Sequence, residues 1–367
     1  MPPSIVIRRC RVTRRAMPAV VLAAVALAAS GAGADIIKKE DMRRGITTTH
    51  ARCAATAQAV WVTTDGQDFC VRYYVSTAGG EGVRPVVFLS GDYFGSVNLR
   101  TWQWIATAQD RNASVAFDPT DQDIDTDDLV TTADGFSRMA KTTAIHLARI
   151  GVAGTSGHHV FRKTLLELHL MNAALDAIKQ SHGFEGFHLV GQSGGSIVVT
   201  GLAGLRRDIG CAVMGSGRLA TRHDTGSKDP ARTLIDPPRF IPSIAQNRAL
   251  RFMVVTDPAD LNVPVRQQTA FVEEMRRAGR DIPQYFVAAI DEYHHGVVEY
   301  AQLVTAGCAL GRSDTEIATA VATMVRRDGA YNELRRRETA VFGKTGSPPP
   351  QPAVAPRVGP VSGSAPR

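Results

Sequence analysis

Ser193 stands in Gly191-Gln192-Ser193-Gly194-Gly195, with the apolar run Phe187–Val190 directly before it and a helical pattern, Ile197–Leu205, directly after. A serine hydroxyl is a weak nucleophile unless it is held exposed beside a base, and a sharp strand-to-helix turn provides that exposure. Gly191 and Gly195 let strand and helix approach without Cβ clashes. The N–H of Gly194, at the helix start, points to where an oxyanion would develop. The bare spacing recurs by chance, and the plainer alternative is a Gly-rich turn with Ser193 as helix N-cap. What separates the two is whether an acid and then a histidine follow at strand ends.

Both do. After Val254-Val255-Thr256 comes Asp257-Pro258-Ala259-Asp260-Leu261-Asn262-Val263-Pro264, which offers two carboxylates where an orienting acid should emerge. Asp260 is chosen for its Asp-x-x-Val-Pro context, while Asp257 is better placed to cap the turn before Pro258 and stands as the second candidate. Beyond the last strand lies Asp291-Glu292-Tyr293-His294-His295-Gly296. His295 is the expected base, with His294 as the fallback.

Strands alternating with helices must position these groups, and this pattern predicts a mainly parallel eight-stranded sheet covered on both faces. Strands are expected at 60–63 and 69–76 around the turn Asp65-Gly66, then at 85–89, 145–150, 187–190, 211–214, 250–256 and 285–290. Apolar residues at 161, 165, 168, 171, 175 and 178 predict a helix stopped by Gly183, with His158-His159 at its beginning. Further helices are predicted at 197–205 and 265–277. A last one opens with the capping box Ser313-Asp314-Thr315-Glu316.

Through Gly191-Gln192-Ser193-Gly194-Gly195, Asp260-Leu261-Asn262-Val263 and Asp291-Glu292-Tyr293-His294-His295-Gly296, the chain resembles the prolyl oligopeptidase type of α/β hydrolase. The likeness spans roughly residues 85 to 308. It implies an α/β-hydrolase fold with Ser193 as nucleophile, Asp260 as orienting acid and His295 as base, and acyl-enzyme chemistry on esters or amides. Where relatives commonly carry a His-Gly-Gly or Tyr-x-Gly loop after the third strand, this chain has Ser90-Gly91-Asp92-Tyr93-Phe94-Gly95. The second oxyanion donor is therefore expected from the backbone N–H of Asp92 or Tyr93, beside that of Gly194. Residues 149–157 resemble the Gly- and Ser-containing loop after the fourth strand, whose role there is mainly packing. Residues 215–247, rich in Pro and polar side chains, fall where such folds insert a small cap, and substrate choice is expected to lie there.

The 367 residues carry a formal charge of +7. Five arginines before residue 35 and three cations after residue 343 leave 35–343 near −1, with no basic stripe and no aromatic-interleaved basic motif. Nucleic acid is not an expected partner. The start combines those arginines, an apolar run at 20–29 and Ala32-Gly33-Ala34, which reads as a secretory signal cleaved after Ala34. The run is too short for a membrane anchor. Export to a periplasm or the outside follows, with a small-molecule ester or short peptide as substrate; a catalytically silent binding member of the fold and an acyltransferase are the alternative readings.

Four cysteines, 53, 70, 211 and 308, remain after residue 34. In an oxidising compartment two disulfides are expected, and of three pairings Cys53–Cys70 with Cys211–Cys308 is preferred because the first pair is close in sequence. Four buried thiols are the alternative. No cofactor is implied and no Cys/His cluster has zinc-ligand spacing. Gly343-Lys344-Thr345 lacks the glycine that a phosphate loop needs at 338, and Asp121-x-Asp123-x-Asp125-x-Asp127 lacks the turn glycine and closing glutamate of a calcium loop. From Lys344 on, Pro, Gly, Ser and Ala dominate and predict a disordered tail.

Overall fold

The computed structural model describes residues 35–92, 123–222, 227–289, 291 and 293–327. The proposed signal at 1–34, Tyr93, Asp121 and the tail at 344–367 lie outside them. Eight strands form one sheet: β1 Ala59–Thr64, β2 Gln67–Ser76, β3 Val86–Leu89, β4 Ala144–Leu147, β5 Phe187–Gln192, β6 Ile209–Gly215, β7 Arg251–Thr256 and β8 Gln284–Phe286. Their order across the sheet is β1-β2-β4-β3-β5-β6-β7-β8, and only β2 runs antiparallel to its neighbours. Asp65 (φ 49°) and Gly66 (φ 72°) make the two-residue hairpin between β1 and β2, where consecutive positive φ values match the twist of the strands. A separate two-stranded patch pairs Ile36–Ile37 with Ile124–Asp125.

Strands β3 and β4 are buried at every position, because helices cover both faces of the sheet. Leu189, Met214, Phe252 and Val254 meet helices α2 (Leu165–His182), α3 (Gly194–Leu205) and α4 (Arg266–Arg277) on one face. Val190, Val213, Met253 and Val255 point the other way, to α1 (Thr126–Ala140), α5 (Val298–Ala309) and a final helix described over 314–327. That alternation within single strands is the period-two pattern of a sheet. Gly183 ends α2 at φ 69°, and the Ser313–Glu316 box closes reciprocally, Ser313 N–H donating to Glu316 Oε2 at 2.8 Å and Glu316 N–H to Ser313 Oγ at 3.3 Å.

Several predicted boundaries move. The fourth strand stops at Leu147 rather than 150, because Arg149 turns into a buried ion cluster. The helix expected from 161 begins at Leu165. Lys163 adopts φ 64°, which no continuous helix tolerates, and His159–Phe161 form a separate 3-10 turn, so His158-His159 do not begin α2. The last strand covers 284–286 only, since the chain beyond it turns toward the histidine loop. Of the acidic stretch, Asp123 bonds Lys38 Nζ at 2.8 Å, and Asp125 caps α1 through the N–H of Asp127. The segment at 215–247 begins as the end of β6 and later forms a 3-10 turn, Pro237–Phe240, and a short helix, Ile241–Gln246. Its Ile235, Ile241 and Ile244 join the core beside α3, and the Leu165 N–H donates to Thr233 O at 2.8 Å, tying it to the start of α2.

Both preferred disulfides form. Cys53–Cys70 fastens the short helix His50–Ala54 to β2, and Cys211–Cys308 joins β6 to α5 across 97 residues. By loop-closure entropy the longer link contributes about 4–5 kcal/mol.

One core histidine and one half-buried histidine make the fold acid-sensitive. His146, 3% exposed on β4, packs beside Phe88 and Tyr74, and neither ring nitrogen has a hydrogen-bond partner among the described residues. Burial pushes it down to about 4, and burial followed by the Arg84 charge does the same to His188. An unfolded chain takes up these protons near pH 6.5, whereas the folded one resists until near pH 4. Stability is therefore full above about pH 6.5 and declines toward pH 4. His146 alone contributes about 2 kcal/mol of loss between pH 7.5 and pH 5. Urea unfolding of His146→Leu at both pH values should show a decline smaller by about that amount; an equal decline in variant and wild type contradicts this assignment.

Candidate active site

Ser193 lies between β5 and α3 at φ 53°, ψ −118°, a backbone conformation that an L-residue adopts only under surrounding constraint. The constraint is steric and hydrogen-bonded. A Cβ on Gly191 would fall 2.5 Å from the Gly195 carbonyl carbon, one on Gly195 would overlap the carbonyl oxygen of Leu89, and one on Gly91 would crowd Ser193 Cβ at 3.3 Å. The Ser193 N–H donates to Gly215 O at 2.7 Å, and the buried Ser196 hydroxyl donates to Gly191 O at 2.7 Å and Gly215 O at 2.9 Å. Ser196 was not anticipated; its hydroxyl on the first helical turn lies within hydrogen-bond distance of the carbonyls of both β5 and β6. Because α3 starts at Gly194, its first N–H groups have no intrahelical acceptor and stay available to an anion.

Asp260 follows β7, 6% exposed, and its Oδ1 accepts the N–H groups of Asn262 and Val263, each at 2.8 Å. His295 Nδ1 lies 2.9 Å from Asp260 Oδ2. The His295 carbonyl accepts from Gln192 Nε2 at 2.6 Å, so the pair is tied to the residue immediately before Ser193. A second pair stands alongside, His294 Nδ1 at 3.0 Å from Asp257 Oδ2. The Asp257 carboxylate also accepts from Ala289 N–H at 2.6 Å and Ala259 N–H at 2.8 Å, while burial pushes its pKa up. His294 is more open than His295, with side chains 38% and 18% exposed. The Asp257–His294 pair thus clamps the acid loop to the histidine loop, a union that Leu261 N–H to Tyr293 O at 2.9 Å reinforces.

Asp291 shapes the histidine loop. Its carboxylate accepts from Tyr293 N–H and His295 N–H, each at 3.1 Å, and from Gly296 N–H at 2.7 Å. The sequence placed Asp291 at the start of the histidine loop, and its gathering of these N–H groups is seen only in the folded chain.

Asp92, expected through its backbone N–H, also brings its carboxylate to the site. It pairs with Lys163 Nζ at 2.6 Å, Arg149 Nη1 at 3.0 Å and Arg162 Nη1 at 3.5 Å. Against the upward pull of burial, these three cations hold its pKa far below the usual carboxylate range. Arg149 is fully buried, forked onto Glu167 with two bonds of 2.8 Å and bonded to Ser90 O at 3.1 Å. The loop at 149–157 therefore does more than pack. Glu167 was hidden in the sequence as one of two acids on a largely apolar helix.

The strand order, the helices on both faces and the serine turn at the end of β5 define an α/β-hydrolase fold. No protein-family profile matches the chain, and no curated protein matches it in sequence. Among solved structures, an esterase of Pyrococcus furiosus is similar with a TM-score of 0.43 and 14% identity, covering 65% of this chain and 84% of its own. A Butyrivibrio proteoclasticus protein solved with ferulic acid bound gives 0.44 and 14%, covering 69% and 97%. The acylaminoacyl peptidase of Pyrococcus horikoshii gives 0.39 and 10%, covering 62% of this chain and 36% of its own. The fold is defined by the strand order and the site by its side chains, independently of these likenesses.

The steric origin of the turn is testable by sign. Gly135, inside α1, has open space where a Cβ would go, so Gly135→Ala should raise stability by about 0.4–1 kcal/mol. Gly195→Ala should lower it by about 1–3 kcal/mol or more, because backbone carbonyls must shift. Urea unfolding of both variants decides; a neutral Gly195→Ala would show that the turn is not so constrained.

Proposed function

We propose that the protein is a serine hydrolase that cleaves a carboxylic ester, or a short peptide or amide bond, through Ser193, His295 and Asp260. The observation that carries this reading is the pairing of a strained, glycine-enclosed Ser193 with an Asp260–His295 couple bonded to Gln192. In the reaction Ser193 Oγ attacks the substrate carbonyl while His295 Nε2 takes its proton. Asp260, on Nδ1, holds the ring in the needed tautomer and steadies its cationic form. The Gly194 N–H, with that of Asp92 as second donor, receives the developing oxyanion. Collapse of the tetrahedral intermediate expels the leaving group with the proton from His295, and water, activated by the same imidazole, releases the acid and restores Ser193.

The substrate is a small molecule. The insertion that follows β6 is joined to the first turn of α2 and reaches the Lys163 neighbourhood, which supports a part for it in substrate choice. Export to a periplasm or the cell exterior is supported by the two disulfides and by the signal pattern. Among the described residues no helix is long and apolar enough to cross a membrane.

Kinetics on p-nitrophenyl esters and aminoacyl amides test the roles. Ser193→Ala and His295→Ala should each lower kcat by roughly 10⁴-fold or more, and Asp260→Ala by about 10²–10⁴-fold. His294→Ala should cost less than about tenfold, since it loosens a loop without removing the base. Retained turnover in Ser193→Ala rejects the nucleophile, and an equal loss in His294→Ala and His295→Ala rejects the choice of base.

A further inference from the structure

The ion cluster around Asp92 lies against the turn where negative charge must be received. A Cβ on Gly194 would overlap Asp92 Oδ1 and would lie 3.0 Å from Arg149 Nη1, so both charged groups touch the back of that glycine. The Asp92 side chain is 13% exposed, Arg149 and Glu167 are fully covered, and Lys163 is 28% exposed. An isolated carboxylate beside an oxyanion site would repel the transition state. Here three cations, Arg149, Arg162 and Lys163, lie against Asp92, and Arg149 also forks onto Glu167, so the carboxylate is answered by cations on several sides.

The same contacts join three separate chain segments. Arg149 leaves the end of β4, reaches Ser90 O and Asp92 on the loop after β3, and forks onto Glu167 in the first turn of α2. The Lys163 N–H donates to Glu167 Oε2 at 2.5 Å while its ammonium holds Asp92. Ser90 and Asp92 flank Gly91, which abuts Ser193. Rigid ion pairing of this kind fixes geometry where a loop alone would wander.

We propose that Asp92 is a positioning residue for the oxyanion turn. Its carboxylate, locked by Arg149, Arg162 and Lys163, pins residues 90–92 after β3 against Gly194. This rests on Ser193 being the nucleophile and specifies what sets the donors around it.

The test compares wild type with Asp92→Ala, Asp92→Asn and Lys163→Met in p-nitrophenyl acetate hydrolysis. Inhibition by an alkylthio trifluoromethyl ketone is measured in parallel. This ketone adds Ser193 Oγ across its carbonyl, passes the serine proton to His295, and leaves an oxyanion where the tetrahedral intermediate has one. Asp92→Ala should lose on the order of 10- to 100-fold in kcat with KM within about threefold, and its inhibition constant should rise by the same factor as kcat falls. Formate, entering the space of the lost carboxylate, should restore kcat saturably. Asp92→Asn, which keeps the side-chain shape and whose folding is checked by circular dichroism, should lose about tenfold in both quantities, and Lys163→Met about three- to tenfold. Unchanged kcat and inhibition constant in Asp92→Asn overturn the proposal while leaving the hydrolase reading intact. So does a loss confined to KM, or one that leaves ketone affinity untouched. Absence of turnover by wild type overturns both.

Discussion

Ser193 occupies a backbone conformation that costs about 1–3 kcal/mol wherever it occurs, and the surrounding architecture is arranged so that no relaxed alternative exists. Strand β5 must end at Gln192 and α3 must begin at Gly194, within one residue, because β3 presses its carbonyl oxygens onto Gly195. The sheet order puts β5 between β3 and β6, so the turn is gripped from both sides: Gly91 from the β3 loop, and Gly215 from β6 through the bonds to Ser193 and Ser196. Strain at one residue is thus maintained by burial of many apolar ones across two core faces.

From that turn the site extends through paired polar contacts rather than through apolar packing. Gln192 links the Ser193 turn to the histidine loop, Asp291 organises that loop, and two Asp–His pairs join it to the loop after β7. On the opposite flank the buried Arg149 guanidinium holds three segments beside Gly194. Buried charge of this kind is costly to desolvate and is weak evidence of stability. Its value lies in direction: Arg149 has one arrangement in which all its bonds are made, and in that arrangement Asp92 and Gly194 are adjacent.

Much of this was legible in the chain. Fully apolar runs such as Val86–Leu89 announce strands covered on both faces, Asp65-Gly66 announces a hairpin, and Ser313 with Glu316 announces a helix start, because each depends on local chemistry. The glycines around Ser193, and an Asp and a His on loops after later strands, were legible for the same reason. What escaped depended on partners distant in sequence. Nothing around Lys163 signals a left-handed residue, since Glu167 and the 230–235 segment impose it. Arg149 reads as an ordinary cation in a Gly-rich loop until the fold encloses it with Glu167. Asp92 could be placed near the oxyanion by its position after β3, but the role of its side chain depends on cations 57 to 71 residues away. Asp257 and Asp260 share one loop, and that each pairs with a different histidine is visible only in the folded chain.

The central claim is that the strained serine, not another hydroxyl, is the reactive nucleophile. Its most direct test is reaction of the folded protein with a fluorophosphonate, followed by proteolysis and mass mapping of the adduct. The account predicts one stoichiometric phosphonyl group on the peptide containing Ser193, absent after Ser193→Ala and strongly slowed by His295→Ala. A well-folded wild type that takes no label, or takes it at another residue, would contradict it.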